Sequence, residues 1–210
     1  MILQKQFDDN FKQQLYQIIE DLENNSRAEI VVIIRQQSDK YRDVSLAVAG
    51  LGMIFLFTVL MFIPVEINPY AIYFFTVVTF PLLYFGIEII EQIKRRLISR
   101  KRIEKTVEIY ARAIFQKGKM HLTEDHTGML IFVSLFEQKV FIVGDKAINT
   151  KIPEHLLAEI REEFDKIFDY HDVSTSLLER LKNLKPVLNK YIPPVENDIN
   201  EISDNLEVNL

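Results

Sequence analysis

Two apolar runs divide a chain that is otherwise patterned in polar and apolar positions. From Val44 through Val65, and again from Ile67 through Ile87, there is no Asp, Glu, Lys, Arg or His, and Glu66 alone separates the runs. Each is about 20 residues, so as a helix rising ~1.5 Å per residue it spans roughly 30 Å, the thickness of a bilayer's hydrocarbon core. The pattern predicts a helical hairpin that crosses the membrane twice, at about 44–64 and 68–90. Pro64, Glu66, Asn68 and Pro69 form its turn. Ser45, Ala47, Ala49, Gly50 and Gly52 cluster early in the first crossing. They are either ordinary content of a membrane helix or a surface that lets a neighbouring helix approach closely. Tyr70 and Tyr73 suit an interface, and Pro81 suits a bend.

The flanks carry the periodicities of a water-soluble fold. Residues 8–23 place Phe11, Leu15, Ile18, Ile19 and Leu22 at helical spacing, with Asp8, Asp9 or Asn10 available as a cap. After Asn24-Asn25-Ser26, the run AEIVVII at 28–34 reads as a strand buried on both faces. Beyond the second crossing the helix is expected to continue to about Lys117, with Ile103, Val107, Tyr110, Ala111, Ile114 and Phe115 on its apolar stripe. Met129–Leu135 and Lys139–Val143 lie close enough to form a β-hairpin, which Gly144-Asp145 ends. Pro153 opens a helix bearing Leu156, Leu157, Ile160, Phe164 and Ile167. Ser176 and Glu179 suit a capping box for a last helix reaching about Tyr191.

This order predicts an α/β fold, a small sheet sandwiched between helices, with the hairpin inserted in it. Residues 1–43 and 94–192 supply the two segments of the domain, 44–93 the hairpin, and 193–210 an acidic tail expected to be disordered.

Charge adds sidedness. The net charge of −5 is matched by Glu196, Asp198, Glu201, Asp204 and Glu207 in a tail without Lys or Arg, so the remainder balances. A balanced domain argues against nucleic-acid binding. Arg35, Lys40 and Arg42 precede the first crossing, and Lys94, Arg95, Arg96, Arg100, Lys101, Arg102 and Lys105 follow the second, whereas the turn has no basic residue. The positive-inside rule then puts the soluble domain and both termini in the cytoplasm, on a plasma or inner membrane. The cluster Lys94, Arg95, Arg96, Arg100, Lys101 and Arg102 is either topology charge or a lipid-facing flank for anionic headgroups. Glu88 and Glu91 read as interfacial residues.

Candidate chemistry is sparse. With no Cys there is no thiolate metal site and no cysteine nucleophile. No D-x-D pair, Walker motif or Ser-His-Asp order appears. Glu29 and Asp145 are the carboxylates that could join a bound calcium or magnesium ion, Asp145 having the alternative of a turn residue bonding local amides. His121, Glu124, Asp125 and His126 match no familiar metal spacing and read as loop polarity. His155 and His171 are expected at the surface. Thr127-Gly128 is expected to shape entry into a strand, since one Gly is not a phosphate-cradling loop.

Several segments taken together resemble the TPM domain family: AEIVVII at 28–34, ARAIFQKGK at 111–119, Thr123 followed by Thr127-Gly128 and MLIFVSL, and VFIVGD at 140–145. The resemblance covers roughly 10–43 and 103–170. It implies an α/β/α sandwich and a role in assembly, repair or turnover of membrane complexes, as in thylakoid-lumen photosystem II repair proteins. Some members are reported as acid phosphatases or calcium binders. The family-like positions are Glu29, Thr127, Gly128, Ser134, Gly144 and Asp145. This chain has His126 where many relatives place Arg, and its membrane hairpin lies inside the domain. The expectation is thus a non-enzymatic two-pass membrane protein with a protein partner in the membrane, the alternative being a metal-dependent phosphatase.

Overall fold

The computed structural model describes residues 6–123, 125–194 and 208–209. It divides into two units, one of residues 1–38 and 104–210 and one of residues 39–103.

The first unit is built on a sheet in the order β3-β2-β1-β4. β1 (Glu29–Arg35) runs parallel to β2 (Gly128–Ser134), and β2 pairs antiparallel with β3 (Lys139–Gly144). β4 is the two residues Val208–Asn209, beside Ile34–Arg35. Residues 195–207 and 210 of the tail, and with them the expected disorder, lie outside the described residues. Directly opposed residues share a face, so the register sorts the strands cleanly. Ile30, Met129 and Gly144 share one face with Val32, Ile131 and Ile142, and with Ile34, Val133 and Val140. The intervening residues share the other.

The first face is covered by α1 (Asp9–Asn24), α6 (Lys146–Lys151), α7 (Glu154–Asp165) and α8 (Val173–Tyr191). Their apolar stripes form the core: Phe11, Leu15 and Leu22 from α1, Ile148 from α6, Phe164 from α7, and Leu177, Leu181 and Leu188 from α8. The other face receives α5, which runs Arg100–Lys117. Tyr110 packs its ring 5.4 Å from that of Phe132, and the Arg112 guanidinium lies 5.7 Å from the Phe141 ring. Val107, Ala111 and Phe115 are buried on the same stripe. The α/β/α sandwich is therefore present, with a mixed sheet as its middle layer.

The second unit holds α2 (Arg42–Phe62), α3 (Pro69–Ile89) and α4 (Glu91–Leu97). α2 and α3 are each long and apolar enough to cross a membrane, and little of either is buried. A soluble core helix of that composition would be buried. α2 turns Ser45, Ala49 and Gly52 inward: Ser45 and Ala49 are fully buried, and a Cβ on Gly52 would collide with Leu83 Cδ1. Ala47 and Gly50 lie off that stripe.

Two expectations are corrected. The helix after the second apolar run is not continuous to Lys117. Ile90, at φ −98° and ψ 83°, breaks it, and Ile98 breaks it again before Ser99 accepts from Arg102 N–H and opens α5. The last helix begins at Val173, not near Ser176, because Asp172, four residues before Ser176, accepts from Thr175 N–H at 3.1 Å and caps it.

Candidate functional site

The register gathers five of the six family-like residues at one end of the sheet. Glu29 opens β1 opposite Gly128, which opens β2, while Gly144 closes β3 and Asp145 follows it. The Asp145 N–H donates to the Gly128 carbonyl at 2.9 Å, so Glu29, Gly128 and Asp145 form one row across the sheet. Adjacent strands lie ~4.8 Å apart, which puts the two carboxylate-bearing backbones roughly 10 Å from each other. Gly128 is required by crowding: a Cβ there would run into the Met120 carbonyl oxygen.

Asp145 and the loop beside it are bound locally. Asp145 caps α6 through Oδ1, which accepts from Lys146 N–H at 2.7 Å, and its Oδ2 lies 3.0 Å from His126 Nδ1. His126 itself sits in the left-handed region at φ 54°, and its carbonyl accepts from Ala147 N–H at 3.0 Å. Thr127 is buried, its N–H bonded to Thr123 Oγ1 at 3.1 Å. Arg27 pairs with Asp125 beside the entry to β1. The loop is thereby stitched onto the sheet end from several directions. The reading of Asp145 as a residue bonding local amides matches this geometry.

As a metal site the row is poorly equipped. Calcium takes 6–8 oxygen ligands, and both oxygens of Asp145 are already engaged with Lys146 and His126. Among the described residues no three or more His, Cys, Asp or Glu side chains gather to hold a metal ion. His121 stands against the Phe115 ring, at 6.5 Å between centroids, and Glu124 lies outside the described residues. His155 and His171 are exposed. Among the described residues the donors do not fit a calcium or magnesium shell.

Ser134, the sixth family-like residue, lies at the opposite end, opposite Arg35 and Lys139. It is fully buried, donates to Glu137 Oε2, and accepts from Ser38 Oγ at 3.2 Å. Glu137 Oε1 in turn accepts from Ser38 N–H at 2.9 Å. This buried network holds the strand end at the last residues before the chain leaves for the second unit. Glu137 and Ser38 carry no signal in sequence, being 99 residues apart.

A second polar cluster belongs to residues 39–103. The Lys94 ammonium is buried and donates to Glu88 Oε1 and Oε2 at 2.9 and 3.0 Å, and to the Lys40 carbonyl. Ser45 donates to the same Glu88 at 2.6 Å. Arg102 forks onto Asp43 at 2.7 and 2.9 Å and lies over the Tyr41 ring, and the carboxylate holds its pKa above the usual range. Burial lowers that of Arg95. Of the six basic residues named as a lipid-facing flank, Lys94 and Arg102 are thus committed within the unit, while Arg96, Arg100 and Lys101 are exposed. Glu88, read as merely interfacial, is the hub.

Residues 89–183 match the family model for the TPM domain. No curated protein matches the sequence. The NMR structure of the BA42 protein from the psychrophilic bacterium Bizionia argentinensis is similar, with a TM-score of 0.59 over 96% of this chain and 94% of that one, at 17% identity. At that identity the likeness speaks to the fold.

Proposed function

We propose, from the match of residues 89–183 to the TPM domain model, that this chain is a two-pass integral membrane protein whose domain binds a membrane-associated partner and assists its assembly, repair or turnover. One observation carries the reading. β1 pairs residue for residue with β2 from Glu29↔Gly128 to Arg35↔Ser134, yet the stretch between these strands contains two exposed apolar helices of membrane-spanning length. The sheet cannot close without the chain passing through both. Such a domain is joined to the bilayer by two connections, at Ser38 and Glu104, and works at its surface. By the positive-inside argument that surface is cytoplasmic.

The partner is expected to be a protein of the same membrane. Cross-linking in native membranes followed by purification should recover it in stoichiometric amount, and recovery should fall when the exposed surface of the domain is altered with the fold retained. A chain that purifies without any stoichiometric partner from membranes where it is expressed at native level argues against the reading. The rival, a calcium- or magnesium-dependent phosphatase, draws on Glu29 and Asp145, which share a row, although both oxygens of Asp145 are engaged locally. Hydrolysis of a phosphate monoester that Asp145→Ala abolishes, with thermal stability kept, would decide for that rival.

A further inference from the structure

The break at Ile90 isolates a short helix that a continuous helix would have hidden. In a straight helix residues six apart point about 120° away from each other, so the Glu88–Lys94 pair at 2.9 Å exists only because the chain turns between them. That pair, with buried Ile98, holds the inner side of α4. What remains outward is ordered by the same constraint. Ile90, Ile93 and Leu97, at spacings of three and four, fall on one face and are 46%, 46% and 44% exposed. Ile89 and Phe85, at the end of α3, continue the exposed apolar surface toward the stripe. The other side of α4 carries Glu91, Gln92, Arg95 and Arg96, and exposed Arg100, Lys101 and Lys105 follow.

An apolar stripe fixed outward, contiguous with the exposed surface of a membrane-length helix and bordered by cations, has the pattern of a helix lying in the plane of a membrane interface. We propose that α4 is such an interfacial helix: Ile90, Ile93 and Leu97 enter the acyl boundary, and Arg96, Arg100 and Lys101 bind the phosphates of anionic lipids. The inference rests on the two-crossing reading of α2 and α3. Lys94 and Arg102 take no part in lipid binding, because Glu88 and Asp43 already hold them. Guanidinium groups suit the remaining role, since their planar fork matches phosphate oxygens. Each cation near an anionic surface contributes about fivefold in local lipid preference.

The chain contains no Trp, so one introduced indole is an unambiguous reporter. The full-length chain carrying Leu97→Trp, in bilayers containing brominated phosphatidylcholine or brominated phosphatidylglycerol, should emit at blue-shifted wavelength. Quenching by the anionic lipid should exceed that by the zwitterionic one at equal mole fraction. The combined Arg96→Gln, Arg100→Gln and Lys101→Gln changes should make the two lipids equivalent while leaving the blue shift. Leu51→Trp, on the exposed side of α2, reports the hairpin separately. If the Leu51→Trp chain is quenched and the Leu97→Trp chain is not, the interfacial assignment is overturned while the hairpin stands. If the Leu97→Trp chain, otherwise unaltered, is quenched equally by both lipids, the anionic-headgroup assignment is overturned. If the Leu51→Trp chain escapes quenching, the hairpin reading fails and takes this proposal with it.

Discussion

Gly128 opens β2 and Glu137 lies in the turn just beyond its end, and each is held by a contact from another segment. At Gly128 the Met120 carbonyl occupies the space a side chain would need. Gly128→Ala should therefore cost about 1–3 kcal/mol, as overpacking against backbone does, read as a lowered unfolding midpoint in detergent. At the other end Glu137→Ala leaves the Ser38 N–H and the Ser134 hydroxyl without their acceptor. A loss of about 1–3 kcal/mol is expected for each buried group left unsatisfied, and amide exchange should quicken first around Ser38. Asp172 offers a pH signature. Its bonds with Ser174 and Thr175 hold its carboxyl below the usual range. A depressed folded pKa means that the stabilisation is complete above the ordinary carboxylate value and is lost as pH falls through the lower folded one. Asp172→Ala should thus lower stability by about 1 kcal/mol near neutrality, with the gap from the unaltered protein narrowing below about pH 4.

At the scale of elements, apolar periodicity carried most of the information. The first helix, expected at 8–23, runs Asp9–Asn24, and the strand expected at 28–34 runs Glu29–Arg35. Both sit in continuous apolar patterns whose period is unmistakable. The six-residue α6 was not legible, because it holds too few apolar positions to show a period and announces itself only through its cap, Asp145. The break at Ile90 was equally hidden: no Pro or Gly marks it, and its main stabilising contact, Glu88 with Lys94, has a spacing that helical reasoning discards. The site was half legible. Family-like positions fell together at one sheet end for five residues, whereas Ser134 belongs with Glu137 and Ser38 at the other. In α2 the sequence left the small residues undecided between helix approach and ordinary membrane content. The structure separates Gly52, against Leu83, from Gly50, which has nothing within 4 Å. Gly52→Leu should accordingly lower the thermal stability of the purified protein in micelles, while Gly50→Leu leaves it nearly unchanged.

For the whole molecule the decisive relation is between topology and sequence order. One sheet is assembled from strands on either side of an apolar insertion, and the chain enters and leaves that insertion through polar, partly basic segments. On the proposed two-crossing reading both parts of the domain lie on one side, since strands that pair cannot be separated by a bilayer. Because the chain has no Cys, single cysteines can report this without background. Asp9→Cys in α1, Glu66→Cys in the turn and Lys182→Cys in α8 all replace exposed residues. In intact cells an impermeant maleimide should label Glu66→Cys alone, and Asp9→Cys and Lys182→Cys should react only after permeabilisation. Labelling of Asp9→Cys and Lys182→Cys from opposite sides, or of all three positions from the same side, would contradict the account.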